Sequence, residues 1–164
     1  MKRPDTVGEP GGRPARVKRM ATKRSLTVAA GLGVDAYVHW HLAPGFDGVK
    51  GTASPQIGQG ELFRVETALA LIAMVLVLLT RRRLAALVAF LVAAGGLGAV
   101  LLFAYVDVGG WGPLPNMYDP FWYPEKTISA VAEAVAALAA LSLLVMPPVV
   151  GKITWPGRKS PGRP

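Results

Sequence analysis

Residues 62–105 read LFRVETALALIAMVLVLLT-RRR-LAALVAFLVAAGGLGAVLLFAY. Two apolar runs, 62–80 and 84–105, are separated only by Arg81, Arg82 and Arg83. A helix rises about 1.5 Å per residue, so crossing a bilayer core takes about 20 mostly apolar residues. Both runs meet that length. The second contains no charge, and the first has Arg64 and Glu66 near its start followed by an unbroken apolar stretch over 68–79. A three-residue link between two spans forces them to lie antiparallel and adjacent.

Beyond this pair, 127–147 is a third span, closed by Pro147 and Pro148, which lack amide donors and cannot extend a helix. The segment 26–43 is a fourth and weaker one, because Asp35, His39 and His41 interrupt it. Its apolar start, 26–34, also has the form of a secretory signal core, with Val34 and Ala36 framing a cleavage site. Against that, Tyr37, Trp40 and Leu42 continue the apolar character. The composition agrees with a membrane solvent: of 164 residues 52% are hydrophobic and only 17% charged, values far from those of a disordered chain. Cysteine is absent, which removes disulfides, thiolate metal sites and thiol catalysis. The expectation is an all-α integral membrane four-helix bundle.

The net charge of +8 first suggests nucleic acid, but its distribution points to topology. All but three of the 18 basic residues fall in 1–26, 81–83 and 151–164, leaving Lys50, Arg64 and Lys126 for the other side. Short cytoplasmic segments retain Lys and Arg during insertion, so both termini and the arginine turn are expected in the cytoplasm, with the protein multi-pass in the cell (plasma) membrane. The chain divides into a basic, disordered tail over 1–24, a bundle over 25–150 and a basic tail over 151–164. The tails are expected to attract anionic lipid headgroups. No nucleic-acid motif is present and no aromatic residue interleaves the N-terminal basic cluster, so nucleic acid is not an expected partner. A second copy or another membrane protein is. Ala, Arg, Gly and Pro bias suggests a GC-rich bacterial source. On layout alone, four spans with both ends inside, the chain resembles the small DoxX-like membrane proteins.

The connections on the outer side differ in chemistry. Residues 44–60 are glycine-rich. Residues 107–125 interleave Pro113, Pro115, Pro120 and Pro124 with Trp111, Tyr118, Phe121, Trp122 and Tyr123. Aromatic rings prefer the headgroup layer, so Trp111, Tyr118, Trp122 and Tyr123 are expected to form an aromatic cap. Within the spans, close packing requires small residues. Ala132, Ala136 and Ala140 supply them in the last span, Ala94 with Gly98 and Gly95 with Ala99 in the third, and Ala29 with Gly33 in the first.

The ionisable residues gather toward one end. They are Asp35, His39 and His41 in the first span, Glu61, Arg64 and Glu66 in the second, Tyr105 and Asp107 at the end of the third, and Glu125, Lys126 and Glu133 in the fourth. Charge inside a membrane is costly and faces the bundle interior, so all of these but Tyr105, Glu125 and Lys126 define a candidate polar pocket. Asp35 and His39, four apart, share a helix face; His41 stands about 200° from His39 and joins it only if the helix loosens before Pro44. Arg64 is the expected counter-charge for whichever acid faces inward. Three readings follow. In the leading one the protein is a structural or accessory membrane component, with Asp35, Arg64, Glu66 and Glu133 in an ion-paired network. In the second, a His/carboxylate site binds or transports a cation or protons, and Asp35, His39 and His41 hold a divalent metal. In the third, the pocket of a membrane enzyme or redox partner takes a quinone or lipid under the aromatic cap. No Gly-x-Ser-x-Gly, His-Glu-x-x-His or phosphate-loop pattern occurs in the chain.

Overall fold

The structure, a computed structural model, describes residues 12–80 and 82–145. It is all-helical among those residues. Helix α1 spans Gly12–Leu42, α2 Gln59–Thr80, α3 Arg83–Tyr105 and α4 Pro124–Val145, with a single 3₁₀ turn over Ala43–Phe46 after α1. Three of them, α2, α3 and α4, are long and apolar enough to cross a membrane. Pro44 falls within the turn, where its fixed φ suits a tightened backbone and its missing amide ends the helical ladder. Pro124 opens α4, the helical position at which a missing amide costs nothing.

The four helices pack as a ring, α1–α2–α3–α4 and back to α1, with little contact across the α1–α3 diagonal. The closest pairs are α1 with α4 and α1 with α2; α2 and α3, despite their short link, touch least of the four neighbours. One end of the ring gathers the C-terminal ends of α1 and α3 and the N-terminal ends of α2 and α4, so neighbours run antiparallel. The core is made of small side chains: nine of its twelve buried residues are alanine, with Val28, Leu32 and Val77 completing it. Alanine buries little area, so cohesion here comes from backbones approaching closely.

Two sequence expectations change. Helix α1 begins at Gly12, so the part of the tail from there to Arg24 is helical rather than disordered. Neither proline nor glycine occurs over 15–30, and the Ala, Arg, Lys and Met residues that fill much of that stretch favour helix. Residues 1–11 and 146–164, including Pro147 and Pro148, lie outside the described residues. The small-residue pairs also sort differently. The stripe Ala132, Ala136 and Ala140 is buried, but its partner on α1 is Gly31: a Cβ there would stand 2.7 Å from the Ala132 carbonyl oxygen and 2.9 Å from the Ala136 Cβ. Gly95 and Gly98 have nothing within 4 Å of a Cβ position. The buried face of α3 is instead Ala85, Ala89, Ala93 and, one turn on, Gly96, because a 3.6-residue period turns 95, 98 and 99 away.

At the polar end the two long loops are pinned together. Ile57 donates its amide to the Pro113 carbonyl at 3.0 Å, Trp111 and Leu114 exchange backbone bonds, and Asp119 donates its amide to the Phe103 carbonyl at 2.9 Å. Gly109 (φ 69°) and Gly112 (φ 59°) supply the left-handed conformations this compact loop requires. The result is a lid of backbone over the end of the ring.

Candidate functional site

The site forms where faces of α1, α2 and α4 converge at the polar end. Asp35 and His39, one turn apart on α1, face the ring interior; Asp35 is completely buried and His39 nearly so. The Ser129 hydroxyl of α4 donates to Asp35 Oδ1 at 2.7 Å. His39 Nδ1 lies 2.9 Å from the same oxygen and 3.2 Å from the Asp35 carbonyl oxygen. Both neighbours are acceptors, so without an ion Nδ1 carries the hydrogen and donates, a hydrogen that ligation through this nitrogen would displace. The Phe63 ring, edge-on at 5.2 Å, holds the imidazole from the α2 side.

Glu133, one turn along α4 from Ser129, is completely buried. Its carboxylate and that of Glu66 on α2 both press on Gly96: a Cβ at that position would collide with Glu133 Oε1 and stand 3.3 Å from Glu66 Oε1. Asp35, His39 and Glu133 each offer a ligand atom, all within 4.8 Å of one another. Four carboxylate oxygens in this cluster, Asp35 Oδ2, Glu66 Oε1 and both of Glu133, are buried without a hydrogen-bond partner among the described residues. Burying a carboxylate oxygen without a donor costs about 1–3 kcal/mol or more. A cluster with so many requires a positive charge or protons to stand.

Arg64 does not provide that charge. It forms a two-pronged pair with Asp47, at 2.7 and 2.8 Å, on the exposed surface. The sequence places Arg64 nearer Glu61 and Glu66, but Asp47 arrives beside it because the 3₁₀ turn folds back onto α2, where Gly60 packs against Asp47 and the Ala43 carbonyl. The Arg64 hydrogen bonds hold the Asp47 carboxyl below its usual range. That pair therefore stabilises the fold above the ordinary aspartate pKa and loses its contribution as pH falls through the lower folded value. A carboxyl-carbon NMR titration is expected to find Asp47 ionised at pH values where a free aspartate is protonated, and Arg64→Gln to return it to normal.

The other expected pocket residues lie elsewhere. Glu61 accepts from the Gly58 amide at 3.1 Å, reaching back over the start of α2 as the acidic half of a capping box. His41 stays helical, points outward and stacks on Tyr37 with ring centroids 5.9 Å apart, so it cannot join His39. The helix does not loosen before Pro44. Asp107 is an exposed loop residue that accepts from Gly109 and Asn116. Of the aromatic quartet, Tyr123 faces inward; Trp111 is 83% exposed, and Tyr118 and Trp122 are also on the surface. The ion-paired network is thus replaced by Asp35, His39, Glu66 and Glu133 with no arginine among them.

A cavity of about 300 Å³ is lined by all four helices, most heavily by α2 and α3, and reaches His39, Glu66 and Ser129. Its roof is formed by Met117, Asp119 and Tyr123 from the loop. Lys126 lines it too: this buried lysine donates to the Asp119 carbonyl, lies 3.5 Å from its carboxylate and sits over the Trp122 ring at 5.6 Å. Burial pushes the Tyr123 hydroxyl pKa up, assisted by the charges of Asp119 and Glu125. Ser129 and Gly96 carry no weight in the sequence, where Lys126 counts only among the charges at the outer end of the last span. For Ser129 a signal existed: 126, 129 and 133 recur at helical spacing on one face of α4. Gly96 had none beyond being one glycine among several. No known family model, curated protein or solved structure matches the chain.

Proposed function

We propose that this protein is an integral membrane protein that binds a divalent metal ion at Asp35, His39 and Glu133, with Glu66 beside them. The single observation that carries the metal is the set of four buried carboxylate oxygens without partners among the described residues, set around one imidazole. Ligands about 2.1 Å from an ion stand at most about 4.2 Å apart, close to the 4.8 Å within which the three ligand atoms already lie. One imidazole nitrogen with carboxylate oxygens suits manganese, iron(II) or zinc. Ser129, donating to Asp35, acts as the outer partner that aims a ligand.

The membrane placement rests on the outward face. Leu69, Ile72, Leu79, Leu84, Leu91 and Leu138 are each 44–78% exposed, a belt that water would penalise heavily and hydrocarbon would not. The exposed aromatics Tyr37, Trp40, Tyr105, Trp111 and Phe121 gather at the polar end, where a headgroup layer would lie. With Lys23, Arg24, Arg82 and Arg83 at the other end, the polar end faces outward. The chain's lack of cysteine makes the topology directly testable. Ser54→Cys is expected to react with an impermeant maleimide from outside intact cells, and Ser160→Cys only after lysis. The reverse pattern would invert the orientation.

For the metal, elemental analysis of detergent-purified protein, reconstituted with manganese, iron(II) or zinc, is expected to find one ion per chain. Asp35→Asn and His39→Ala should lose it, and Ser129→Ala should weaken binding about 10–100-fold, the range for an outer partner. Absence of any bound metal, together with no metal-induced rise in melting temperature, would leave the cluster a purely structural feature.

A further inference from the structure

The cavity is lined most heavily by α2 and α3, with Met117, Asp119 and Tyr123 of the loop on one side. Val65 on α2 and Ala99 on α3 both line it and are both exposed on the outer surface, so they flank a lateral mouth. In the membrane placement proposed above, on which this inference rests, that mouth opens onto hydrocarbon. Its walls, including Phe63, Phe103 and Met117, are apolar, and its inner end meets His39 and the Glu66 carboxylate, which accepts no hydrogen bond among the described residues. At about 300 Å³ it matches the lower end of the size range of small-molecule sites.

We infer that this cavity is a binding site for an uncharged, lipid-soluble molecule with a hydroxyl head, which enters between α2 and α3 and donates its hydroxyl hydrogen to Glu66. Three features select that class. A ligand arriving through hydrocarbon must be uncharged, since charge is expelled from the bilayer interior. The inner end is rich in acceptors, and the ammonium that lines the cavity, Lys126, is already held by Asp119, so an anionic head is repelled. Glu66 needs a donor, which a hydroxyl supplies and an ether or ketone does not.

The test is photolabelling of the full chain in phospholipid nanodiscs. The probes are a medium-chain alcohol carrying a mid-chain diazirine, its methyl ether and the corresponding fatty acid. The alcohol is expected to label the cavity-lining positions of α2 and α3 about tenfold more than the ether or the acid, the factor for a hydrogen bond to a charged acceptor. Ala99→Phe, on the outward side of α3 where no core is disturbed, should abolish this labelling. Glu66→Leu should bring alcohol labelling down to that of the ether. Equal labelling by alcohol and ether in the native chain, labelling spread evenly around the bundle, or no effect of Ala99→Phe would each overturn the inference. These outcomes are distinct from failure of the membrane reading, which would appear first as a chain that stays dispersed without nanodisc or detergent.

Discussion

Glu133→Leu is expected to stabilise the metal-free protein while abolishing its response to metal. Glu133 is completely buried and neither of its oxygens finds a donor among the described residues. Replacing a buried carboxyl that lacks a donor by a side chain of similar volume removes an unmet desolvation cost of about 1–3 kcal/mol. The native chain is expected to recover stability only when the ion is present, about 2.7 kcal/mol at a hundredfold excess over the dissociation constant. The measurement is unfolding in mixed micelles, with and without zinc or manganese, for both proteins. The predicted pattern is a crossing: the variant more stable without metal, the native chain gaining with it, the variant indifferent. A variant less stable than the native chain in the absence of metal would mean that Glu133 is well partnered there, and the case for the ion would fall with it.

Gly31→Ala is expected to damage both the fold and the site, although it adds only one methyl group to an apolar stretch of α1. The added Cβ would lie 2.7 Å from the Ala132 carbonyl oxygen. That oxygen belongs to the backbone of α4 and cannot rotate away, so α1 and α4 must separate. Overpacking of this kind costs about 1–3 kcal/mol, against a helix-propensity gain of about 0.4–1 kcal/mol. Asp35 lies one turn further along the same face of α1, and its 2.7 Å bond from Ser129 crosses that interface. Metal affinity should therefore drop along with the melting temperature. Gly98→Ala is the control: a Cβ there meets nothing within 4 Å, so it should be neutral or mildly stabilising and leave metal binding intact. If the two alanine variants behave alike, α1 and α4 do not pack through Gly31.

Much of the site could be anticipated from residue type and spacing, and the misses have a common cause. Asp35 with His39 follows from four-residue spacing, and Glu133 from the isolation of one acid inside an apolar helix; both are local facts about a helix face. His41 falls away for the same local reason, once the helix runs unbroken to Leu42. Arg64 is different. Its neighbours in sequence are Glu61 and Glu66, yet its partner Asp47 is 17 residues away and is delivered by a loop. Glu61 is then left to serve the start of α2.

Residue order was enough for the element inventory, because hydrocarbon length and helical period are written in the succession of apolar side chains: three helices long and apolar enough to cross a membrane, a fourth interrupted by charge, and a basic turn. Which acid has a counter-charge and which has none was settled only by packing in three dimensions. Ion pairing depends on where loops place a carboxylate and on how closely backbones approach at Gly31 and Gly96, distances of a few ångströms that no periodicity encodes.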